Sequence, residues 1–118
     1  LEHTGGSMGY VLEIGARRLA YITDTTARPN SPYVASIRNL DLLIHECNFG
    51  DGYRELAEKT GHSWLSAVTD VVRVSRPAKT LLVHHNPIAK LMGDELKLDS
   101  KQIALNMNLA NDCDSIEF

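Results

Sequence analysis

The chain has 118 residues, a length that suits one compact domain of the common size of about 100–150 residues. Its 43% hydrophobic and 23% charged residues exclude a disordered chain, and the net charge of −3 excludes a basic footprint for nucleic acid within this segment. No apolar run approaches the roughly 20 residues of a membrane span, so no membrane partner is expected. Cys47 and Cys113 form no CxxC pair, which favours free thiols and a cytoplasmic location.

The first part of the chain predicts a β-hairpin followed by a short helix. Met8–Ile14 and Arg17–Thr23 are rich in β-branched and aromatic residues, and Gly15-Ala16 lies between them as the turn. Pro29-Asn30-Ser31-Pro32 is typical of a loop, and Pro32 suits the first turn of a short helix that runs through Arg38.

The remainder predicts alternating strands and helices. Asp41–His45 and Thr80–Val83 are short apolar runs, as expected of strands buried on both faces. Asp51–Lys59 has a weak helical pattern, and Ser63 is the predicted N-cap of a helix through about Arg76. A long helix over Asp94–Ala110 and a closing edge strand over Ser115–Phe118 are predicted last. A hairpin followed by helix–strand repeats indicates an α/β sheet covered by helices.

Five histidines are placed where strands end or helices begin. They are His3, His45, His62, His84 and His85, and Asp24 ends the run from Leu19 in the same way. Imidazoles and a carboxylate gathered on one rim of a sheet are what a zinc-dependent hydrolytic site requires. The placement therefore favours a metal site over histidines scattered through a core.

Five segments follow one another as they do in a known family. They read His3-Thr-Gly-Gly-Ser-Met-Gly-Tyr10, Tyr21-Ile-Thr-Asp24-Thr25, Leu43-Ile-His45-Glu46, Gly61-His62-Ser63 and Leu82-Val-His84-His85. In this order the chain resembles the metallo-β-lactamase fold, and most closely its ribonuclease Z-like branch of metal-dependent hydrolases. The resemblance implies an αββα sandwich of two similar halves with metal at the seam. It implies that residues 1–118 form the C-terminal part of that domain, because the HxHxDH motif of the first half is absent.

The same resemblance assigns metal ligands. It implies that His3 completes the shell of one metal, that Asp24 bridges two metals, and that His84 binds the second. For His3 the alternative is a disordered terminal residue, and for Asp24 a carboxylate that caps a turn. His84 is taken as the ligand and His85 as a bystander, with the reverse as the alternative, because neighbouring strand residues point to opposite sides.

A catalytic residue and two supporting residues are implied as well. His62 would face the substrate as a proton donor or transition-state stabiliser, with an exposed histidine near a helix cap as the alternative. His45 and Glu46 resemble a strand-end pair that orients ligands by hydrogen bonding, with an ordinary polar strand end as the alternative.

The implied reaction is hydrolysis by a hydroxide bound to two divalent metal ions, Zn²⁺ or alternatively Mn²⁺. Phosphodiesters, as small molecules or in nucleic acid, are the expected substrates. An esterase or lactonase and a non-catalytic scaffold with a vestigial site are the alternatives. One departure from the transfer-RNA-processing nuclease is His85-Asn86-Pro87, where that enzyme typically has Phe-Ser and then Arg-Tyr.

The expected partners follow from the missing motif. Because the chain begins at Leu1 and lacks HxHxDH, it is expected to be the back part of a longer protein that requires the N-terminal half of the domain. Alone it is expected to be inactive, and to form a homo-oligomer through the surface left open.

Overall fold

A computed structural model describes residues 1–118 and contains one mixed sheet of five strands. The strands are β1 (Tyr10–Ile14), β2 (Arg17–Ile22), β3 (Leu42–Glu46), β4 (Thr80–Val83) and β5 (Met107–Leu109). They lie side by side in chain order, and the first pair is antiparallel whereas β2 to β5 are parallel. The α/β class and the predicted hairpin with its Gly15-Ala16 turn are therefore confirmed.

Along the chain, the helices alternate with the parallel strands. They are α1 (Tyr33–Ser36), α2 (Arg54–Thr60, preceded by a 3₁₀ turn over Asp51–Tyr53), α3 (Leu65–Ser75), α4 (Ala89–Met92) and α5 (Ser100–Ala104). Each connects two parallel strands, as such crossovers require. The longest, α3, has 11 residues. None of the helices combines the length and the apolar character that crossing a bilayer requires.

One face of the sheet carries the core. Ala20 of β2 lies opposite Leu43 of β3, and Leu82 lies two residues beyond Leu43's partner on β4; all three are on the same face of the sheet and are fully buried. They pack in one cluster with apolar side chains of the helices, including Val68 and Val72 of α3. Burial of this apolar surface, worth roughly 25 cal/mol per Å², is the main force that holds the helices on the sheet.

The other face of the sheet is open along β1 and β2. Tyr10, Leu12 and Ile14 alternate along β1, and Tyr10 lies opposite Tyr21 of β2. These four large side chains are 40–58% exposed. Exposed apolar side chains that form a contiguous row often indicate an interaction surface. We call the four residues the open face.

The predicted helix over Asp94–Ala110 is wrong for most of its length. The Asp94 carboxylate accepts a hydrogen bond from the Gly50 backbone N–H at 2.8 Å, which holds residue 94 against the loop after β3. The helix is only α5, which begins at a capping box formed by Asp99 and Gln102. It ends before Asn106, whose φ of +57° is left-handed, and the chain then enters β5.

The predicted edge strand over Ser115–Phe118 is also wrong. The strand that ends the sheet is β5, which pairs with β4 through Thr80–Met107 and its neighbours. Residues 115–118 form no strand and pair with no other strand. Their one contact of note is the Glu117 carbonyl, which accepts a hydrogen bond from Lys79 Nζ at 2.9 Å.

Ser63 is not the N-cap of α3, because that position belongs to Trp64. The Ser63 hydroxyl instead donates to the Thr25 carbonyl at 2.7 Å and accepts from the Ala27 N–H at 2.8 Å. It thereby joins the segment before α3 to the segment after β2. The helical pattern predicted over Asp51–Lys59 corresponds to the 3₁₀ turn and α2, which Gly61 caps with φ +77°.

Candidate metal centre

The candidate site lies at the carboxyl ends of β2, β3 and β4. Asp24 follows β2, Glu46 ends β3 and His84 follows β4. Because these strands are parallel, their carboxyl ends meet at one edge of the sheet, where ligand sites of α/β proteins commonly form. Asp24 and His84 both have left-handed backbones, with φ of +50° and +57°.

His3 is anchored to the end of α2. Its Nδ1 lies 2.8 Å from the Gly61 carbonyl oxygen. Since a carbonyl only accepts, Nδ1 must carry the proton, and Nε2 keeps its lone pair. The segment is also held by the Glu2 carbonyl, which accepts from the Thr26 N–H at 3.0 Å, and by an ion pair of Glu2 with Arg28. This is the orientation a histidine needs in order to bind a metal through Nε2.

Glu46 is a buried carboxylate that connects three segments of the site. It is fully buried and accepts hydrogen bonds from the Thr25 N–H at 2.8 Å and from the Ser63 N–H at 3.0 Å. Its Oε1 also lies 2.9 Å from His62 Nδ1. The carboxylate therefore holds the proton of His62 on Nδ1 and leaves Nε2 without a partner in Glu46.

Four of the predicted residues come together here. The ligand atoms of His3, Asp24 and His62 all lie within 4.8 Å of one another. His84 joins them because its Nε2 is 3.4 Å from Asp24 Oδ1, and its ring centroid is 5.3 Å from that of His62. Asp24 is therefore close to all three histidines. The Asp24 and His84 side chains are 41% and 46% exposed, so the cluster is open to a substrate.

The donors fit a divalent metal of the zinc type. Neutral imidazole nitrogens and a carboxylate oxygen are common zinc ligands, and a catalytic zinc uses about three protein ligands and leaves one position open. His3 offers an imidazole nitrogen whose partner nitrogen is already hydrogen-bonded, as metal-binding histidines usually do.

His85 faces away from this cluster. The strand ends at Val83, and His85 Nδ1 lies 3.3 Å from the Cys47 carbonyl oxygen. Only His84 is placed beside Asp24. Because the strand ends at Val83 and His84 has a left-handed backbone, strand alternation, which the sequence analysis assumed, is not what separates the two histidines.

His45 does not reach the cluster directly. It is fully buried on the helix side of the sheet, with Nδ1 2.7 Å from the backbone oxygen of Glu46 and Nε2 3.0 Å from the Tyr33 hydroxyl. Nδ1 therefore carries the proton, and Nε2 accepts from Tyr33. Burial lowers the pKa of His45, and burial also raises the pKa of the Tyr33 hydroxyl. Its connection to the cluster runs only through Glu46.

Three residues that shape the site were not predicted from the sequence to be site residues. They are Thr25, whose N–H binds Glu46; Ser63, which ties two segments together; and Tyr33, which binds His45. The sequence carried a signal for Ser63, because it directly follows His62 in the Gly61-His62-Ser63 segment. The partners of Thr25 and Tyr33 are distant in the chain, and no local pattern indicates them.

Gly61→Ala is expected to displace His3 and to weaken metal binding by about tenfold or more. A Cβ at position 61 would lie 2.7 Å from His3 Nδ1, and the φ of +77° adds strain of roughly 1–2 kcal/mol for a residue other than glycine. Calorimetric titration with Zn²⁺ and thermal unfolding measure the two effects. Gly93→Ala is the matched control, because Gly93 caps α4 with φ +67° and has nothing within 4 Å of its Cβ position. Equal zinc affinity in both variants would contradict the role of the His3 contact.

The stability of the fold is expected to fall as the pH drops below about 6.5, in part because of His45. Its pKa in the folded state is below the unfolded value of about 6.5, so the unfolded chain binds the extra proton in that range. The contribution of His45 to the free energy of unfolding is complete above its pKa in the unfolded chain and is lost as the pH falls toward its pKa in the folded protein. One proton accounts for at most about 1.4 kcal/mol per pH unit. Denaturant unfolding between pH 7.5 and 5.5 measures it, and His45→Gln should flatten the profile. An unchanged profile would contradict this assignment.

Comparisons with known proteins agree with the fold. A family profile described as "Beta-lactamase superfamily domain" matches residues 1–85. The chain is 29% identical over 101 residues to a protein named ribonuclease Z from Archaeoglobus fulgidus, covering 86% of this chain and 32% of that one. It is 24% identical over 110 residues to a Caenorhabditis elegans protein named zinc phosphodiesterase ELAC protein 2 homolog, covering 91% and 13%. The structure of a long form RNase Z from yeast superposes with a TM-score of 0.64 at 27% identity, covering 81% and 13%.

The chain belongs to the β-lactamase superfamily and has the metallo-β-lactamase fold. The His–Asp cluster lies at the carboxyl edge of its sheet. Within that superfamily it is ribonuclease Z-like. It spans about a third or less of the length of the curated relatives it matches.

Proposed function

We propose that the chain supplies part of the active site of a metal-dependent phosphodiesterase. The observation that carries the proposal is the position of Asp24, whose carboxylate lies 3.4 Å from His84 Nε2 and within 4.8 Å of ligand atoms of both His3 and His62. A carboxylate has two oxygens and can contact two cations, whereas a neutral imidazole can bind only one. His3, Asp24 and His84 would hold the metal ions. When bound, the ions would lower the pKa of a water molecule toward about 7 and offset charge on a phosphoryl oxygen.

His62 has the geometry of a proton donor to the leaving oxygen. Glu46 fixes its ring by accepting from Nδ1 at 2.9 Å, so the proton given to the leaving oxygen would be a second one, carried on Nε2 of the doubly protonated ring. A positioned group of this kind contributes roughly 10²–10⁴-fold to rate. The fully buried Glu46 carboxylate, with its two backbone donors, cannot rotate away from the ring without losing those bonds.

The donors in this chain support only one side of a two-metal site. His3, Asp24 and His84 are too few for two zinc ions that each require about four ligands. We infer that a second half carrying HxHxDH completes the site, as the resemblance implies. The match to about a third of the Archaeoglobus ribonuclease Z supports the inference. A protein in which this chain is joined to such a half is called the complete enzyme below.

The substrate class follows from the relatives. Their names describe a ribonuclease and a zinc phosphodiesterase, so a phosphodiester of nucleic acid is the proposed substrate and zinc the proposed metal. The chain has a net charge of −3, and the basic surface that grips a nucleic-acid backbone would therefore come from outside it.

The test is a metal titration of the chain together with an assay of the complete enzyme. Calorimetry should show weak zinc binding to the chain alone, and Asp24→Asn should abolish it while tolerating the left-handed backbone at that position. In the complete enzyme, zinc-dependent hydrolysis of bis(p-nitrophenyl) phosphate should disappear in the same variant. Submicromolar binding of two ions by the chain alone would contradict the missing-half account. A complete enzyme that binds zinc without hydrolysing phosphodiesters, carboxylic esters or lactones would establish the scaffold.

The open face is expected to make the isolated chain self-associate. In the complete enzyme we propose that the other half covers it, and without that half a second copy takes its place. Light scattering across a concentration series should show a dimer, and Leu12→Lys should shift it to a monomer. Val11→Lys is the matched control, since Val11 is 40% exposed but lies on the opposite face of β1. A monomer for the unmodified chain at all concentrations would refute the expectation.

A further inference from the structure

A cavity of about 360 Å³, a volume within the range of small-molecule sites, is formed by two chain segments that also carry residues of the metal cluster. One wall is residues 27–30, which begin three positions after Asp24. Another wall begins at Trp64, two positions after His62. The Ser63 hydroxyl joins them by accepting the first N–H of the 27–30 segment at 2.8 Å. The segments that place two cluster residues therefore continue directly into the walls of the cavity.

One side of the cavity is an arginine stacked on the single tryptophan of the chain. Arg54 Cζ lies 5.1 Å from the centre of the Trp64 ring, inside the limit of about 6 Å for a cation–π contact. Glu58 also binds this guanidinium, at 3.6 Å. The Arg54 side chain is nevertheless 64% exposed, so a ligand can reach it. A guanidinium plane held in this way is a stacking surface of the kind that proteins use for unpaired bases.

The charges around the cavity favour a neutral aromatic ligand over a phosphate. The two lining arginines, Arg28 and Arg54, lie 3.9 and 3.6 Å from carboxylate oxygen of Glu58. Arg28 also pairs with Glu2 at 3.1 Å. Each lining arginine therefore already has a carboxylate partner, and a phosphate would have to compete with it. A flat uncharged ring can stack on a guanidinium without breaking its ion pair.

The other polar residues of the cavity can bind the edge of such a ring. They are exposed and provide an amide, a hydroxyl and a carboxylate: Asn30, Ser66 and Asp70. Asp70 accepts from Arg73 through Oδ1 at 3.2 Å, which leaves Oδ2 as an acceptor. Because these groups include both donors and acceptors, they match the mixed hydrogen-bonding edge of a nucleobase.

We propose that this cavity binds an unpaired nucleobase, which stacks on the Arg54 guanidinium. The assignment rests on the proposed function, because the base would belong to a nucleotide beside the phosphodiester at the metal cluster. Stacking tolerates any base, since every base has a π-face, but the larger purines should bind more tightly than pyrimidines. The chain would thereby hold its substrate through a base, although its net charge of −3 offers little attraction to a phosphate backbone.

The test follows the fluorescence of Trp64 in the metal-free chain, because the single tryptophan lies against the proposed stacking surface. Titration with AMP, UMP and ribose 5-phosphate varies the base while the sugar and the phosphate stay the same. AMP should change the emission saturably, UMP should bind more weakly, and ribose 5-phosphate should have no effect. Arg54→Ala should weaken AMP binding about fivefold or more, the usual effect of losing one stacked base. Arg54→Lys should weaken it as well, because lysine keeps the charge but not the plane.

Arg17→Ala is the matched control and should leave AMP binding unchanged. Arg17 has a similarly exposed side chain and a carboxylate partner, Asp41, but it begins β2 at the end remote from the cluster. An equal response to ribose 5-phosphate would mean that only the phosphate binds, and it would overturn the proposal. Full AMP affinity in Arg54→Ala or Arg54→Lys would overturn it too.

The base site and the hydrolase proposal can fail separately. Hydrolysis of bis(p-nitrophenyl) phosphate by the complete enzyme needs no nucleobase, so it would survive failure of the base site. Base-dependent AMP binding is measured without metal, so it would survive failure of the hydrolase proposal.

Discussion

Replacing His84 by Ala in the complete enzyme is expected to lower metal content and turnover together. His84 Nε2 lies 3.4 Å from Asp24 Oδ1, so the substitution removes one of the few donors beside the bridging carboxylate. Replacing His62 by Ala should leave the metal bound, because His62 is assigned to the substrate side. Turnover should still fall by roughly 10²–10⁴, the usual contribution of a positioned proton donor. Elemental analysis of bound metal and phosphodiester hydrolysis are measured on both variants.

Two conservative variants separate chemistry from structure in this experiment. His84→Asn also removes the imidazole but tolerates the φ of +57°, so it distinguishes ligand loss from backbone strain. His62→Gln can keep a hydrogen bond to Glu46 but cannot transfer a proton. The ligand atoms of His62, His3 and Asp24 lie within 4.8 Å of one another, so His62 is close enough to bind the metal itself. Metal loss in His62→Ala with metal retained in His84→Ala would exchange the two roles.

Glu46→Gln is expected to destabilise the fold by about 2–5 kcal/mol and to lower turnover, because it changes a buried carboxylate that accepts from charged or polar donors. Thr25 N–H, Ser63 N–H and His62 Nδ1 all point at its two oxygens. In glutamine one oxygen becomes an NH₂ group, which can only donate, so one of these donors loses its partner. Denaturant unfolding measures the stability.

A surface glutamate provides the control for Glu46. Glu58 pairs with Arg54 at 3.6 Å on the exposed side of α2, and Glu58→Gln should change stability by less than about 1 kcal/mol. If Glu46→Gln unfolds at the same denaturant concentration as Glu58→Gln, the three-donor description of Glu46 is incorrect.

Elements with a strong local pattern could be predicted from the sequence. The hairpin, β3, β4 and the helix before Pro77 were all recognised, because β-branched runs, a Gly-containing turn and a proline stop act within a few residues. The long helix over Asp94–Ala110 could not be excluded in this way. It is prevented by a contact to Gly50, 44 positions earlier in the chain, and by the edge of β4, which β5 extends. Long-range pairing overrode the local helical pattern there.

The candidate site shows the same division. The residues at strand ends converge because parallel strands share an edge, which the sequence order already implies. The sequence could not show that Glu46 turns toward His62 whereas His45 turns toward Tyr33. That difference follows from the alternation of side chains along β3, which places the two residues on opposite faces of the sheet. Both residues end the same strand, yet only one touches the cluster.

The left-handed backbones at Asp24 and His84 restrict what these positions can become during evolution. Only glycine, and to a smaller extent asparagine, aspartate and histidine, adopt such φ values at little cost. A lineage that stops using the metal is released from the need for a carboxylate and an imidazole, but not from the turn that each residue makes. Such descendants should therefore carry Asn or Gly at these two positions and should seldom carry Val or Ile. Relatives that have lost catalysis would therefore still be recognisable by small polar residues at these two positions.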